Sequence, residues 1–313
     1  MKLEAGETVG VGRRRLPAWL RVPFRGARAR TELRSLFRGL NLHTVCEGAH
    51  CPNLCECWSR HTATFLLLGN VCTRNCRFCA VTNGVPQAPD ADEPFKVAEA
   101  ARKMGLRYVV LTSVTRDDLP DGGSGHFATT VRAIRARLPQ AAIEVLPPDF
   151  GGRAADVATV LAARPEVFNH NLETCARLTP LVRSGADYRR SLAVLAIAAQ
   201  QVPFAGLRVK SGIMLGMGEE PAEIREMLRD LRASGVEILT IGQYLPPSAA
   251  HWPLGRYVPP EEFAVWADVA RREYGFAHVV SGPLVRSSYQ AEAAAQAAGA
   301  VPEPTPDIRA MSA

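Results

Sequence analysis

Three cysteines in one short stretch constrain this chain more than any other feature of its sequence. Cys72, Cys76 and Cys79 have the spacing C-x3-C-x2-C, which lets three thiolates on one loop bind the same inorganic group. A cubic 4Fe-4S cluster usually takes four thiolates, so a three-thiolate loop leaves one iron open to another ligand. Short cysteine spacings also suit tetrahedral zinc, but structural zinc sites usually combine two C-x2-C pairs, and this sequence has only one. The spacing therefore favours iron.

A second group of cysteines lies just upstream of the first. Cys46, Cys51 and Cys57 have the spacing C-x4-C-x5-C, and Cys55 lies inside it. Taken alone, this group is compatible with a second cluster, a zinc knuckle or thiols without metal. Seven of the 8 cysteines fall between residues 46 and 79, a crowding that disfavours a disulfide framework. The pattern indicates metal binding in a reducing compartment, for which the cytoplasm fits best.

The overall composition is that of a soluble enzyme. The chain has 313 residues, 47% of them hydrophobic and 22% charged, with a net charge of +6. This mildly basic balance would suit an acidic protein partner, and no nucleic-acid motif accompanies it. No apolar run approaches the roughly 18 residues that a membrane span needs. Arginines at 13–15 could belong to a transit peptide, but Glu4 and Glu7 argue against one.

Strand and helix patterns alternate along the middle of the chain. Predicted strands are 64–68, 108–112, 143–146, 167–169, 207–215 and 238–242, and predicted helices are 94–104, 125–138, 153–163, 187–200 and 221–234. Such alternation predicts an α/β fold with a parallel sheet, here a partial (βα)6 TIM-like barrel. Ligands of such barrels gather at the carboxyl ends of the strands, and the Cys72 loop follows the first strand.

Both ends of the chain are expected to form extensions of this barrel. Residues 1–30 are predicted to be an irregular arm, followed by an amphipathic helix at 31–40. A further helix is expected at 259–274, and residues 281–298 are expected to pass from a Gly-Pro turn into an alanine-rich helix. We therefore divide the chain into a cysteine-bearing extension at 1–60, a barrel at 61–280 and a C-terminal extension at 281–313.

Two cysteine triads separated by one strand and followed by βα units resemble the lipoyl synthases, a family of radical S-adenosylmethionine enzymes. The resemblance covers most of the chain and keeps the family's order. The blocks that carry it are CEGAHCPNLCECW, TATFLLLGNVCTRNCRFCAV, YVVLTSVTRDDLPDGG, IEVLPPDF, VFNHNLET, VKSGIMLGMGE, ILTIGQYLPP and SGPLVRSSY.

The resemblance implies two 4Fe-4S clusters and S-adenosylmethionine as cofactors. It assigns the cluster that cleaves S-adenosylmethionine to Cys72, Cys76 and Cys79, and the auxiliary cluster to Cys46, Cys51, Cys57 and Ser288. Without it, Ser288 would be interpreted as a helix N-cap. Cys55 departs from the family pattern, in which a small residue is expected, and is either an inert thiol or a competing ligand. Cys175 is interpreted as a buried apolar residue.

Several other residues are candidates for contact with S-adenosylmethionine. They are Phe78, Thr112, Ser113, Asn171, Glu173, Lys210, Gly212 and Gly216. Five of them have a plain alternative: Thr112 and Ser113 as strand-end caps, Gly212 and Gly216 as part of a strand that ends in a glycine turn, and Lys210 as a solvated side chain. No histidine is paired with a nucleophile, and no catalytic base is assigned.

By resemblance, the expected reaction is insertion of two sulfur atoms at C6 and C8 of an octanoyl chain on a lysine of a carrier domain. Expected partners are the octanoylated lipoyl domains of 2-oxoacid dehydrogenase acyltransferase subunits and of the glycine cleavage H protein, and an electron donor such as ferredoxin or flavodoxin. Two alternatives stay open, namely another radical sulfur-inserting enzyme similar to biotin synthase and a non-enzymatic iron-sulfur electron carrier.

Overall fold

The computed structural model describes residues 16–21, 27–49, 51–59, 64–201 and 206–301. The strands are β1 His43–Thr44, β2 Thr64–Leu67, β3 Val71–Cys72, β4 Thr82–Asn83, β5 Tyr108–Ser113, β6 Ala142–Leu146, β7 Val167–Asn169, β8 Arg208–Leu215, β9 Ile238–Gln243 and β10 His278–Gly282. The α-helices are α1 Ala27–Gly39, α2 Val45–Gly48, α3 Leu54–Ser59, α4 Glu93–Lys103, α5 Ser124–Arg137, α6 Ala154–Leu161, α7 Thr179–Val182, α8 Tyr188–Gln200, α9 Pro221–Ala233, α10 Pro260–Arg272 and α11 Ala291–Ala297.

An eight-stranded sheet forms the centre of the described structure. Its order is β1-β2-β5-β6-β7-β8-β9-β10. Only the pairing of β1 with β2 is antiparallel, and each later neighbour is parallel. All six predicted barrel strands are confirmed, and each crossover between them contains a helix. The α/β class and the partial barrel follow from this topology.

The parallel part of the sheet contains one strand more than the sequence predicts. β10 pairs with β9 in a register that places Val279 opposite Leu239 and Gly282 opposite Gly242. The expected Gly-Pro turn is present, but it begins after residue 281, because the strand continues to Gly282 and the turn follows at Pro283 and Leu284. The boundary proposed at residue 280 falls inside this strand.

The N-terminal extension packs against the first barrel strand through aromatic side chains. The ring of Phe37 on α1 lies 5.7 Å from that of Trp58 on α3 and 5.9 Å from that of Phe65 on β2. All three side chains are buried, and burial of each stabilises the fold by roughly 2–3 kcal/mol. Helix α1 begins at Ala27 instead of residue 31, since alanine and arginine are strong helix formers.

The C-terminal helix packs near the amino ends of the central strands. A small buried cluster joins residues of α11 to the starts of three strands, and its members are Tyr108, Val110, Ala142, Val167, Ala291 and Ala295. Arg208 also donates a 2.8 Å hydrogen bond from Nε to the carbonyl oxygen of Ala298. The alanine-rich helix is confirmed as α11, whereas most of the predicted arm and the tail at 302–313 lie outside the described residues.

Candidate active site

A cavity of about 540 Å³ lies at the carboxyl ends of the strands. Its wall combines the loop after β2, the ends of β5, β6, β7, β8 and β9, and residues of both extensions. The cysteines that line it are Cys46, Cys51, Cys72, Cys76 and Cys79. Residues that are far apart in the sequence therefore meet around one space large enough for a nucleotide-sized ligand.

Backbone amides hold the thiol of Cys72. The amide nitrogens of Arg74 and Thr115 lie 3.4 and 3.3 Å from its Sγ and donate to it. These two bonds fix the position of the sulfur, and cysteine binds metal as the thiolate. The rest of the loop is fixed by a 2.7 Å hydrogen bond from the amide of Arg77 to the carbonyl oxygen of Val182.

Arg74 joins the cysteine loop to two neighbouring strand-end loops. Its guanidinium donates two 2.8 Å hydrogen bonds to the carboxylate of Asp117 and bonds of 2.8 and 3.0 Å to that of Asp149. Asp149 also accepts a 2.8 Å bond from Arg190. Although burial opposes it, the hydrogen bonds from Arg74 hold the pKa of Asp149 well below its usual range. A planar guanidinium suits this double bidentate arrangement, and lysine would not reproduce it.

A loop after β9 covers the outer side of the cysteine loop. The amide of Trp252 donates a 2.7 Å bond to the carbonyl oxygen of Arg77, whose guanidinium lies 4.8 Å from the centre of the Trp252 ring. One ring nitrogen of His251 lies 3.1 Å from the carbonyl oxygen of Cys79. These contacts hold the loop that carries the three cysteines against the barrel.

Burial favours the protonated form of several cavity thiols. It raises the pKa of Cys46 and of Cys76 to about 11 and that of Cys79 to about 12. Binding of iron must therefore displace these protons, which couples cluster binding to proton release. Three arginines oppose the rise in pKa: Arg183 and Arg74 act on Cys76, and Arg286 acts on Cys51.

The two ends of the chain meet at the upstream cysteines. Cys46 and Cys51 line the cavity together with Ser287 and Ser288 of the C-terminal segment. The side-chain amide of Asn53 donates a 2.6 Å hydrogen bond to the carbonyl oxygen of Leu284, which ties the two segments together. The structure thus brings Ser288 to the same wall as two of the three cysteines that the sequence assigns to the auxiliary cluster.

Cys57 does not line the cavity. It lies on α3 and packs against the hydrophobic core, whereas Cys55, two positions earlier on the same helix, does not. Positions two apart on a helix point in widely different directions, so Cys57 faces the protein and Cys55 faces away. The assignment of Cys57 to the auxiliary cluster stays a prediction. Cys175 is buried in the core, as expected.

Most of the other predicted contacts with S-adenosylmethionine line the cavity. They are Phe78, Thr112, Ser113, Asn171, Glu173 and Gly212. Ser113 Oγ and Asn171 Oδ1 are buried polar atoms without a hydrogen-bond partner among the described residues, which is costly unless a ligand supplies one. Thr112, by contrast, already donates a 2.7 Å bond to the carbonyl oxygen of Leu146. A Cβ on Gly212 would lie 2.9 Å from Asn171 Oδ1, so glycine keeps this position open.

Glu173 is held in an unusual backbone conformation. Its φ is +69°, a left-handed value that is rare for a side chain of this size. Its amide donates to the carbonyl oxygen of Gly212 and its carboxylate accepts a 3.0 Å bond from Asn171. Burial raises the pKa of Glu173 against the opposing charges of Arg183 and Arg286. Strain of this kind clusters at ligand sites, which agrees with its predicted role.

Lys210 and Gly216 lie outside the cavity wall. Lys210 is 1% exposed, and its Nζ lies 2.9 and 3.0 Å from the two carboxylate oxygens of Glu144. It therefore neutralises a carboxylate inside the barrel, and the expectation of a solvated lysine is wrong. Gly216 forms a turn with φ +97°, and its amide donates to Glu219. The plain alternative, a strand that ends in a glycine turn, describes Gly216 correctly.

Comparison with known proteins decides the family. A lipoyl synthase of Rubrobacter xylanophilus is 54% identical over 280 residues, which cover 90% of this chain and 86% of that protein. A lipoyl synthase of Thermus thermophilus is 53% identical over 281 residues, with coverage of 89% and 86%. The chain belongs to the lipoyl synthase family. Residues 66–231 also match the model of the radical SAM superfamily, and the predicted enzyme class, a sulfurtransferase of the radical S-adenosylmethionine type, is confirmed.

Solved structures of distant relatives share the fold. HydG, a maturase of the FeFe hydrogenase, is 14% identical with a TM-score of 0.56 and covers 75% of this chain and 54% of its own. SuiB of Streptococcus suis bound to S-adenosylmethionine is 11% identical with a TM-score of 0.51 and covers 83% and 62%. At these identities the similarity supports the partial barrel and nothing about substrates.

The donors around the cavity fit the cofactors of the lipoyl synthase family, a 4Fe-4S cluster and S-adenosylmethionine. Five thiols, amides directed at Cys72 and unpartnered polar atoms at Ser113 and Asn171 share one wall. Among the described residues, no three His, Cys, Asp or Glu side chains lie close enough to hold a single metal ion. None of the described helices is long and apolar enough to cross a membrane.

Sequence reasoning assigned no role to five charged or titratable residues of the cavity, namely Arg74, Asp149, His170, Arg183 and Arg286. His170 is buried, with Nδ1 3.0 Å from the carbonyl oxygen of Pro147 and Nε2 3.1 Å from Ser191 Oγ. Arg286 is the first residue of the RSSY motif, so the resemblance could have identified it as a residue of the site. Arg183 follows a four-residue helix, and no local pattern marks it.

Proposed function

We propose that this chain makes the lipoyl group by inserting two sulfur atoms at C6 and C8 of an octanoyl chain attached to a carrier lysine. The observation that carries the proposal is the meeting of both cysteine groups and Ser288 around one cavity. When bound, two 4Fe-4S clusters and S-adenosylmethionine supply a hydrogen-abstracting radical and the sulfur. Family members act on lipoyl carrier proteins, so the carrier is a second protein.

Cys72, Cys76 and Cys79 are proposed to hold the cluster that binds S-adenosylmethionine. The contacts of Arg74, Trp252 and His251 fix this loop, so a cluster held by the three cysteines would lie beside the cavity that they line. Asn171, Glu173 and Ser113 present the polar atoms that orient the nucleotide. A radical needs an enclosed site, because bulk solvent and surface side chains would quench it.

Cys46, Cys51, Cys57 and Ser288 are proposed to hold the auxiliary cluster that supplies sulfur. Ser287 Oγ already accepts a hydrogen bond from Asn171, whereas Ser288 Oγ has no hydrogen-bond partner among the described residues. Ser288 is therefore the better candidate for a ligand. An alkoxide is a poorer partner than a thiolate for iron in such clusters, so this bond is a sensible place for the cluster to open.

The cavity also offers an apolar surface for an acyl chain. Leu66, Val114, Leu146, Met214 and Leu245 line it beside the polar groups. Burial of an eight-carbon chain against such side chains is favourable by about 0.8 kcal/mol per methylene. We propose octanoylated lipoyl domains and the glycine cleavage H protein as substrates, ferredoxin or flavodoxin as electron donor, and the cytoplasm as location.

The test is mass spectrometry of an octanoyl-lysyl carrier peptide after anaerobic incubation with cluster-reconstituted enzyme, reductant and S-adenosylmethionine. The expected result is a gain of two sulfurs, as the dithiol under the reducing conditions of the assay, with loss of two hydrogens once the dithiol is oxidised to the disulfide. Ser288→Ala is expected to stop sulfur insertion while cleavage of S-adenosylmethionine continues. Ser281→Ala is the control, since Ser281 lies outside the cavity and donates to the carbonyl oxygen of Phe263. Cleavage by the parent enzyme with an unchanged peptide would refute the proposed substrate.

A further inference from the structure

Two arginines of the cavity wall have no carboxylate partner. Arg183 is 8% exposed, and its Nη1 donates to the carbonyl oxygen of Leu172 at 3.0 Å and to Ser191 Oγ at 3.2 Å. Its Nε is buried without a partner among the described residues. Arg286 is partly buried, and its Nη1 donates at 2.7 Å to the carbonyl oxygen of Val285. Within the part of the chain that the structure describes, neither arginine forms an ion pair with a carboxylate.

The third cation of the wall behaves differently. Arg74 is bound to the carboxylates of Asp117 and Asp149, so its charge is neutralised within the protein. An unpaired buried charge costs several kcal/mol, and proteins normally pair or solvate it. Arg183 and Arg286 therefore point to negative charge that the folded protein alone does not provide.

Each of the two arginines faces a different cysteine group. Arg183 directly follows Val182, whose carbonyl oxygen accepts the 2.7 Å bond from the amide of Arg77 in the C-x3-C-x2-C loop. Arg286 directly precedes Ser287 and lies in the segment that Asn53 ties to the upstream group. The positive charges of both arginines lower the pKa of Glu173. Among the described ion pairs, however, the Glu173 carboxylate is paired with neither arginine. The arginines are thus distributed one to each predicted cluster.

We propose that Arg183 and Arg286 are separate counter-charges for the two clusters, Arg183 for the one held by Cys72, Cys76 and Cys79 and Arg286 for the auxiliary one. The proposal rests on the proposed function, which requires both clusters. Thiolate-ligated 4Fe-4S groups are anions, and one-electron reduction makes them more negative. A cation beside the cluster stabilises the reduced form and raises the reduction potential. The electron comes from the external donor, and no bond in the protein changes.

The test uses two proteins that each retain one cluster. In the first, Cys46, Cys51 and Cys57 are replaced by alanine, and in the second the three cysteines of the other loop are replaced. Arg183→Gln and Arg286→Gln are introduced into both proteins. Midpoint potentials are measured by redox titration followed by electron paramagnetic resonance. Titrations are done without S-adenosylmethionine, so that its carboxylate does not contribute.

The expected result is a crossed pattern. Arg183→Gln lowers the potential in the first protein and leaves it unchanged in the second, and Arg286→Gln does the reverse. Arg183→Lys and Arg286→Lys keep the charge and shift the potentials less. These variants also test the proposal if a glutamine variant fails to fold. Arg135→Gln is the matched control: it changes the net charge equally, but Arg135 pairs with Glu166 away from the cavity.

Three outcomes would overturn the proposal. Unchanged potentials, or equal shifts in both proteins, would show that neither arginine is specific to one cluster. An unchanged potential with weaker binding of S-adenosylmethionine in Arg183→Gln would assign that residue to the carboxylate of the cofactor. Absence of a cluster from either parent protein, measured by iron and sulfide content, would remove the two-cluster premise and refute the proposed function itself.

Discussion

Replacement of Lys210 by methionine is expected to destabilise the barrel without affecting the cavity. Lys210 and Glu144 are each 1% exposed, and the ammonium makes hydrogen bonds of 2.9 and 3.0 Å to the carboxylate. Glu144 also accepts 2.7 Å and 2.9 Å bonds from Tyr108 and Asn169. Removal of one partner of a buried ion pair costs about 3–5 kcal/mol, because the other charge stays buried.

In Lys210→Met, the Glu144 carboxylate keeps its hydrogen bonds from Tyr108 and Asn169. The expected loss of unfolding free energy is therefore near the lower limit of this range, about 3 kcal/mol. This is a large share of the 5–15 kcal/mol that roughly describes the stability of native domains. At about 2 °C per kcal/mol for a chain of this size, the melting temperature would fall by roughly 6 °C. The double variant Lys210→Met/Glu144→Gln is expected to recover roughly 1–2 kcal/mol, since it removes the unpaired charge and keeps an acceptor.

The assay is urea unfolding of the single and double variants under reducing conditions, with binding of S-adenosylmethionine measured in parallel. We expect the free energy of unfolding to fall in Lys210→Met and the affinity to remain that of the parent. The reasoning would be refuted by a loss of less than about 1 kcal/mol. Weaker binding of S-adenosylmethionine at unchanged stability would restore the cofactor role that the sequence suggested for Lys210.

Burial lowers the pKa of His170 to about 4, whereas an unfolded histidine titrates near 6.5. Between pH 6.5 and 4 the unfolded chain therefore binds one proton more than the folded chain. The free energy of unfolding should fall by up to roughly 3 kcal/mol over this range. In urea unfolding, His170→Gln should make this pH dependence weaker. Gly212→Ala would place a methyl group 2.9 Å from Asn171 Oδ1, and titration calorimetry should show binding of S-adenosylmethionine weakened about tenfold. Cys57→Ala should lower the iron content of a protein that lacks the downstream cysteines, and Cys55→Ala should not. Loss of iron in Cys55→Ala and not in Cys57→Ala would reverse the ligand assignment. An unchanged pH dependence of stability in His170→Gln, or an unchanged affinity for S-adenosylmethionine in Gly212→Ala, would contradict the corresponding prediction.

The barrel could be predicted because its elements carry local patterns. The buried residues of β5, Val109 to Leu111, and the helical periodicity of α9 are visible in short windows of sequence. β10 was missed because its five residues, His278–Gly282, run directly into a Gly-Pro pair that reads as a turn. Its strand character depends on pairing with β9, which is a property of the folded sheet.

The site could be predicted only where its residues belong to a spacing or motif. The cysteine loop has such a spacing, and the structure places it at the expected ends of the strands. Lys210 could not be assigned, since its partner Glu144 lies two strands away and 66 residues earlier in the chain. Arg183 likewise has no local signature, because its importance comes from its place in the fold, where it lines the cavity without an ion-pair partner among the described residues.

The wall formed by Arg286, Ser287 and Ser288 has a consequence for biosynthesis. A ribosome makes the upstream and downstream cysteines early, and the barrel strands emerge and fold from the amino end onwards. The segment that closes the cavity is added 242 residues after Cys46, when nearly all of the barrel already exists. A nascent chain therefore exposes both groups of thiols to oxygen and stray metal before their pocket is closed. Delivery of iron and sulfide should come after this segment has been translated, and ribosome-bound chains that end before residue 285 should fail to retain the auxiliary cluster.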